Sequence, residues 1–395
     1  MQFSNGVTEP PVKKLAGLDH LRALAIALVF LCHYRMFGHP DWVNDAGSFG
    51  WTGVDLFFVL SGYLISAQLF KSLQQGKGIS LKEFYIKRFF RILPAYLAVL
   101  TLYFALPAFK EFEGLPPLWK FLTFTQNFGL YLGATRAFSH AWSLCIEEQF
   151  YLFLPLILLF ISRFNVPRVM AFGLLTLFVA GFFIRAWGWA HFVAPLVGQD
   201  DSGPVLAWYK WIYYPTYNRL DGLLTGIAIA AIFQYRPALK EKLTRHGNAM
   251  LLLGLALITG AYFLCNKEMV TRNTTVTGFP LISIAFGVMV IAALSPSCIL
   301  YKLPARGTGL IATLSYSIYL SHKGVVHLTQ LWLGKWVDAN GMGMFVICTG
   351  MVVLAALVLR WVIEKPFLRL RDRVLKRRDE AALKPVKEER QPAVY

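Results

Sequence analysis

The 395-residue chain is 56% hydrophobic and only 15% charged, with a mean hydropathy of +0.51. Soluble domains carry roughly 25% charged residues, so most of this length belongs in lipid and no sizeable soluble domain is expected. The formal net charge of +17 does not indicate a nucleic-acid partner, because the basic residues fall between and after apolar runs, as topology signals do.

A bilayer core is crossed by about 20 mostly apolar residues. In chain order the expected spans are Ala23–Phe37, Gly53–Phe70, Ile92–Ala108, Ala141–Ile161, Val169–Trp187, Tyr217–Gln234, Ala249–Leu264, Phe279–Leu294, Leu310–Leu331 and Met344–Val362. The first follows Lys13 and Lys14, as a signal peptide would. It holds Arg22 and His33, shows no small-residue cleavage pattern and is followed by further spans, so it reads as an uncleaved helix. The fourth is interrupted by Glu147 and Glu148.

The expected architecture is therefore an all-α polytopic membrane protein of about ten helices. If the N-terminus is cytoplasmic, the inside segments hold about 26 Lys and Arg and the outside segments about 11, the asymmetry of the positive-inside rule. Both ends are then expected inside. The division is a tail at 1–18, a membrane domain at 19–368 and a basic tail at 369–395 that begins as a short helix and frays. Cys32, Cys145, Cys265, Cys298 and Cys348 lie in or beside apolar runs without a CxxC pair, and read as packing residues. No metal-ligand spacing such as HExxH occurs, so no metal is expected.

Charged side chains inside a membrane are expensive and so are functional candidates. Arg22 and His33 are eleven residues apart, which puts them on one helix face and roughly 16 Å apart along the axis. The expected topology places His33, Asp55, Glu147, Glu148, Arg219, Asp221 and His322 towards the outer face. It places Arg88 and Arg91 on the cytoplasmic side. Basic groups inside suit an anionic donor, and a histidine with carboxylates outside suits proton chemistry. Each has a plainer reading: Arg22 snorkelling, His33 packing, the Glu pair partnering Arg219, Arg88 and Arg91 marking topology, Asp55 capping the second helix.

These motifs resemble the membrane acyltransferase family three. The matching pieces are LDHLRALAIALVFLCHY with Arg22 and His33, GVDLFFVLSGYLI, RFFRILPAY with Arg88 and Arg91, AWSLCIEEQFY with the Glu pair, RLDGLLTG, LSYSIYLSH and IEKPF. Together they span nearly the whole chain in order. The resemblance implies a ten-helix domain in a bacterial cytoplasmic membrane, with acyl-CoA reaching it from the cytoplasm. It implies essential roles for Arg22 and His33 and a link between Arg88 and Arg91 and the donor. Some members carry a further helix and an extracytoplasmic hydrolase-like domain. This sequence ends shortly after IEKPF and reads as the form without them. Cys145 stands where serine is more usual and is not read as a nucleophile.

The expected reaction moves an acyl group, acetyl by family habit, from acyl-CoA to a hydroxyl of a glycan or glycolipid such as lipopolysaccharide, exopolysaccharide or peptidoglycan. Coenzyme A phosphates would meet Arg88 and Arg91, and the pantetheine arm would follow the Arg22–His33 face. His33 would either deprotonate the acceptor or become acylated, oriented by Glu147, Glu148 or Asp55. Arg219, Asp221, Ser317, Tyr319 and His322 are candidates for the acceptor side. The expected partners are acyl-CoA, the carbohydrate acceptor and membrane lipid. A secondary transporter using the same His, Glu and Arg for proton coupling is the alternative, and a scaffold protein that has lost catalysis is a third reading.

Overall fold

The computed structural model describes residues 15–76, 78–164, 166–199, 202–265 and 270–382. Lys13, Lys14 and the rest of the chain before residue 15 lie outside the described residues, as does the end of the basic tail from residue 383. Among the described residues there is no strand. The long helices are α1 (Ala16–Tyr34), α2 (Gly53–Gln74), α3 (Leu81–Ala105), α4 (Trp142–Ile161), α5 (Val166–Gly188), α6 (Asp221–Tyr235), α7 (Gly247–Cys265), α8 (Phe279–Ala293), α9 (Arg306–Leu333), α10 (Met342–Leu359) and α11 (Lys365–Ala382). The protein is an all-α, polytopic membrane protein.

Each of the first ten helices matches one expected span, but they are not alike. Eight segments are long and apolar enough to cross a bilayer. A ninth forms if α6 and the short helix Pro237–Thr244, bent by 113°, are taken as one span. The remaining helix, α9, has 28 residues but buries Ser315, Ser317, Ser321, His322, Lys323 and Thr329 inside the protein. A helix this polar is sheltered from lipid by its neighbours, because polar groups in hydrocarbon carry a large penalty. In contrast, Phe172, Phe183 and Phe263 are more than 70% exposed, as lipid-facing side chains are.

The third helix starts well before the expected Ile92. Its first turn is fixed by Ser80, whose hydroxyl accepts the Glu83 N–H at 3.4 Å, the Ser-x-x-Glu signature of a helix start. Arg88 and Arg91 therefore sit on a helix and not in the segment before it. Asp55 lies in the first turn of α2, but the residue in the cap position is Thr52 and no side chain caps this end.

Helices α1 and α9 run side by side in the same direction. The Thr308 hydroxyl meets His20 Nδ1 at 2.8 Å near their starts, and Gly38 N–H donates to Gln330 Oε1 at 3.1 Å beyond the end of α1. Helices α2 and α6 cross in close contact through two glycines. A Cβ on Gly62 would lie 2.4 Å from Leu223 O, and one on Gly226 would lie 2.3 Å from Val59 O. Small residues let the two backbones approach, the usual device for packing helices in lipid.

Candidate active site

Arg22 of α1, Arg88 and Arg91 of α3, and Glu147 and Glu148 of α4 line one cavity of about 140 Å³, together with Ser61 of α2 and Tyr316 and Tyr319 of α9. Arg22 and Arg88 have no ion-pair partner among the described residues. The Arg88 guanidinium carbon lies 5.9 Å from the Phe84 ring centroid and 5.5 Å from that of Tyr151, a cation–π setting that holds the charge without neutralising it. Arg91 is different: its Nη1 is 3.1 Å from Glu364 Oε2. The buried Glu364 carboxylate also meets Arg360 at 3.4 Å and the Ser317 hydroxyl.

The glutamate pair is thus at the arginine end of the bundle, correcting the expected outer cluster. Glu147 Oε2 accepts from Tyr151 Oη at 2.8 Å and from Ser61 Oγ at 3.2 Å. Neither glutamate contacts His33. Asp55 does not either: it receives both contacts of a forked bond from Arg219 Nη2, at 2.9 and 3.0 Å. The Arg219 guanidinium lies over the rings of Phe279, Tyr213 and Trp142, at 4.0, 4.7 and 5.6 Å. Asp221 pairs with buried Arg185 at 2.7 Å. These two ion pairs join α2, α5 and the start of α6. Arg219 and Asp221 therefore contact neither the histidines nor the cavity, and the Glu pair is not the partner of Arg219.

His33 is oriented by another histidine. His33 Nδ1 lies 2.8 Å from His322 Nε2, with the two rings stacked at 5.0 Å. His322 Nδ1 lies 3.0 Å from Ile318 O and 2.9 Å from Tyr319 O. A carbonyl oxygen can only accept, so His322 carries its proton on Nδ1 and Nε2 is a bare acceptor. His33 must then donate from Nδ1, which leaves its Nε2 lone pair free of any protein partner among the described residues. Sequence reasoning sought a carboxylate in this position.

A third imidazole completes the cluster. His140, just before α4, lies 5.0 Å from His322 and 5.7 Å from His33 between ring centroids. Its Nε2 faces Leu320 O at 3.4 Å, and its buried Nδ1 has no partner. His140 was not among the expected site residues. It stands one residue before the AWSLCIEEQFY stretch, and a histidine beside an apolar run was the available signal. Lys323, next to His322, forms a buried pair with Glu111 at 2.7 Å, also unforeseen. Among the described residues no group of three or more His, Cys, Asp and Glu is arranged to hold a metal ion.

The cavity and the histidines are separated by one layer of side chains. The Tyr319 hydroxyl donates to His140 O at 2.6 Å and accepts from Ser143 Oγ at 2.6 Å. Both residues line the cavity on the arginine side. Ser317, expected on the acceptor path, is instead bound to Glu364. Cys145 is buried, with its thiol directed to Ala141 O at 3.5 Å.

The bundle therefore holds an imidazole nitrogen without a partner among the described residues at one level and arginines without a carboxylate partner at another, which can serve as a base and as an anion-binding surface. The sequence matches the acyltransferase domain of acyltransferase family three over residues 15–361, and the chain belongs to that family. It is 29% identical over 337 residues to the peptidoglycan O-acetyltransferase OatA of Listeria monocytogenes, covering 80% of this chain and 50% of that protein. It is 28% identical over 332 residues to the O-acetyltransferase OatA of Staphylococcus aureus, covering 79% and 50%. A putative O-acetyltransferase of Staphylococcus aureus is 26% identical over 389 residues, covering 93% and 59%. The chain thus spans about half the length of the curated relatives it matches. No solved structure matches.

Proposed function

We propose that this chain is an O-acyltransferase of a bacterial cytoplasmic membrane. It moves an acetyl group from acetyl-CoA on the cytoplasmic side to a hydroxyl of a glycan on the other, with peptidoglycan, the substrate named for a relative, as the leading acceptor. The observation that carries this reading is His33: its Nδ1 is committed to His322, so a bare Nε2 is held on the helix face that also presents Arg22 to the cavity.

Arg22 and Arg88 receive the phosphates of the donor, since they are the cavity's cations without a carboxylate partner and a guanidinium fork suits phosphate. The pantetheine arm then extends along α1 towards His33, roughly 16 Å away by helix rise. Binding sites for ligands of this size occupy 300–1,000 Å³ or so, well above the 140 Å³ seen. The layer formed by Tyr319 and Ser143 therefore has to move when the donor enters. His33 Nε2 takes the proton of the acceptor hydroxyl as its oxygen attacks the thioester carbonyl. The C–S bond breaks, and the departing thiolate of coenzyme A takes that proton back from the imidazolium. The His322 carbonyl contacts fix the tautomer that makes this possible, the service a carboxylate performs in other histidine sites.

The test is transfer of label from radioactive acetyl-CoA in vesicles, with a peptidoglycan or envelope-glycan extract as acceptor. Wild type should label the glycan, and His33→Ala should fall by about 10³-fold, a loss of the size expected for removing a general base. Full transfer by His33→Ala sinks the reading. Movement of label across the membrane without covalent transfer would favour a transporter.

A further inference from the structure

A second feature lies outside the acyl-transfer site. Helices α5, α6 and α8 enclose a groove of about 650 Å³ on the outside of the bundle. Its walls are apolar: Leu174 and Phe178 of α5, Ile232 of α6, and Val288 of α8. Small residues make its depth, since Ala228 and Ala231 of α6 and Gly287 of α8 line it where larger side chains would fill it. Gly287 is needed for the packing beneath, because a Cβ there would lie 2.5 Å from the Thr225 methyl.

The groove has a length and a polarity. On α5 it runs from Met170 to Phe178 and on α6 from Leu224 to Tyr235, which is about 12 Å and 16 Å by helix rise. One leaflet of a bilayer core is about 15 Å deep. At one end the groove is closed by Arg236 and Leu239. This is the end of α6 and α8 and the start of α5, where the chain turns through 113° into the short helix Pro237–Thr244. That helix is exposed and carries Lys240 and Lys242 against one acid, Glu241, with Arg245 following and Arg163 and Arg168 exposed around the start of α5. Arg236 is exposed and has no acidic partner among the described residues. An apolar slot one leaflet deep, ending in a free guanidinium, has the chemistry of a phospholipid: hydrocarbon along the slot and phosphate at its basic end.

We propose that this groove is a binding site for one anionic diacyl phospholipid of the leaflet on the basic face. One acyl chain lies between α5, α6 and α8, and the phosphate is bonded by Arg236. The bent helix lies along the interface with its basic side towards neighbouring headgroups. The lipid fills the space between α5 and the rest of the bundle, so it acts as packing that the protein does not supply itself. Nothing in the proposal depends on acyl transfer.

Native mass spectrometry of the detergent-purified full chain, titrated with phosphatidylglycerol or phosphatidylcholine of identical chains, tests it. Wild type should retain one phosphatidylglycerol about tenfold more tightly than phosphatidylcholine, whose choline ammonium offsets the charge of the phosphate that meets Arg236. Arg236→Ala, at an exposed position, should bring the two lipids within about threefold, as the cation that distinguishes the net-anionic from the zwitterionic headgroup is lost. Ala228→Trp should abolish retention of both by filling the slot, and Ile232→Trp serves if Ala228→Trp does not fold. Equal retention of the two lipids by wild type overturns the proposal, as does undiminished phosphatidylglycerol binding in a folded slot-filling variant. Tighter retention of a polyprenyl phosphate overturns the diacyl occupant.

Discussion

At the scale of single residues, the histidine cluster shows how backbone carbonyls can set the chemistry of a side chain two contacts away. Ile318 O and Tyr319 O fix the proton of His322 on Nδ1, His322 Nε2 then accepts the hydrogen bond of His33 Nδ1–H, and His33 Nε2 is left bare. His322→Phe keeps a ring of similar size against Phe30 and Tyr319 but removes the acceptor. The expected outcome is a 10- to 100-fold or so loss of transfer, the range seen when a group that orients a working histidine is removed. Detergent-solubilised thermal stability should be nearly unchanged. Transfer at the wild-type rate would show that His33 needs no such support. The sequence made His33 and His322 visible as polar residues in apolar helices, but not their bond: 289 positions separate them, and only the packing of α1 against α9 brings them together. The expected topology offered a carboxylate for this position because carboxylates were nearby in depth, and depth says nothing of direction around the bundle. Glu147 and Glu148 point to the arginine cavity for that reason.

At the scale of elements, the apolar runs were legible because hydropathy and a 20-residue length are sufficient to mark a span. Boundaries were less so. The start of α3 was hidden because Lys82, Glu83, Lys87, Arg88 and Arg91 read as a loop, while Ser80 and Glu83 formed the helix start they signal. Helix α9 was legible only as an apolar run with histidine at its far end; its polar residues are tolerated because α1, α3 and α10 cover them. The crossing of α2 with α6 was not legible, since it rests on Gly62, Gly226 and the buried pair Asp55–Arg219. That pair holds the segment before α6 to the first turn of α2. Asp55→Ala would leave the Arg219 charge buried among Phe279, Tyr213 and Trp142 without a counter-ion. Removing one partner of a buried pair costs roughly 3–5 kcal/mol, so a large drop in thermal stability is expected, with less folded protein recovered from membranes. An unchanged melting temperature would mean that water or another group reaches Arg219.

At the scale of the whole molecule, the alternating directions of α1 to α10 place two sets of loops on opposite faces. The starts of α1, α3, α5, α7 and α9 share a face with the ends of the helices between them, and this face carries the basic segments around Lys71, Arg163, Lys242 and Lys302. The arginine cavity opens nearer this face and the histidines lie nearer the other, because Arg22 is near the start of α1 and His33 near its end. The proposed donor, acetyl-CoA, would come from the cytoplasm and the proposed acceptor from outside, so the proposed reaction requires the basic face to be cytoplasmic, as the charge bias also favours. Cysteine substitution at exposed positions decides this. Lys242 lies in the short basic-face helix, and Lys335 lies in the turn between α9 and α10. Four native cysteines are buried and Cys32 is half-buried, so the wild type supplies a low background for a membrane-impermeant maleimide. In intact cells Lys335→Cys should label and Lys242→Cys should not, until the membrane is permeabilised. The opposite pattern would leave the fold intact but put the arginine cavity outside. The phosphates of a cytoplasmic donor would then have no route to Arg22 and Arg88, and the donor would have to be a different anion.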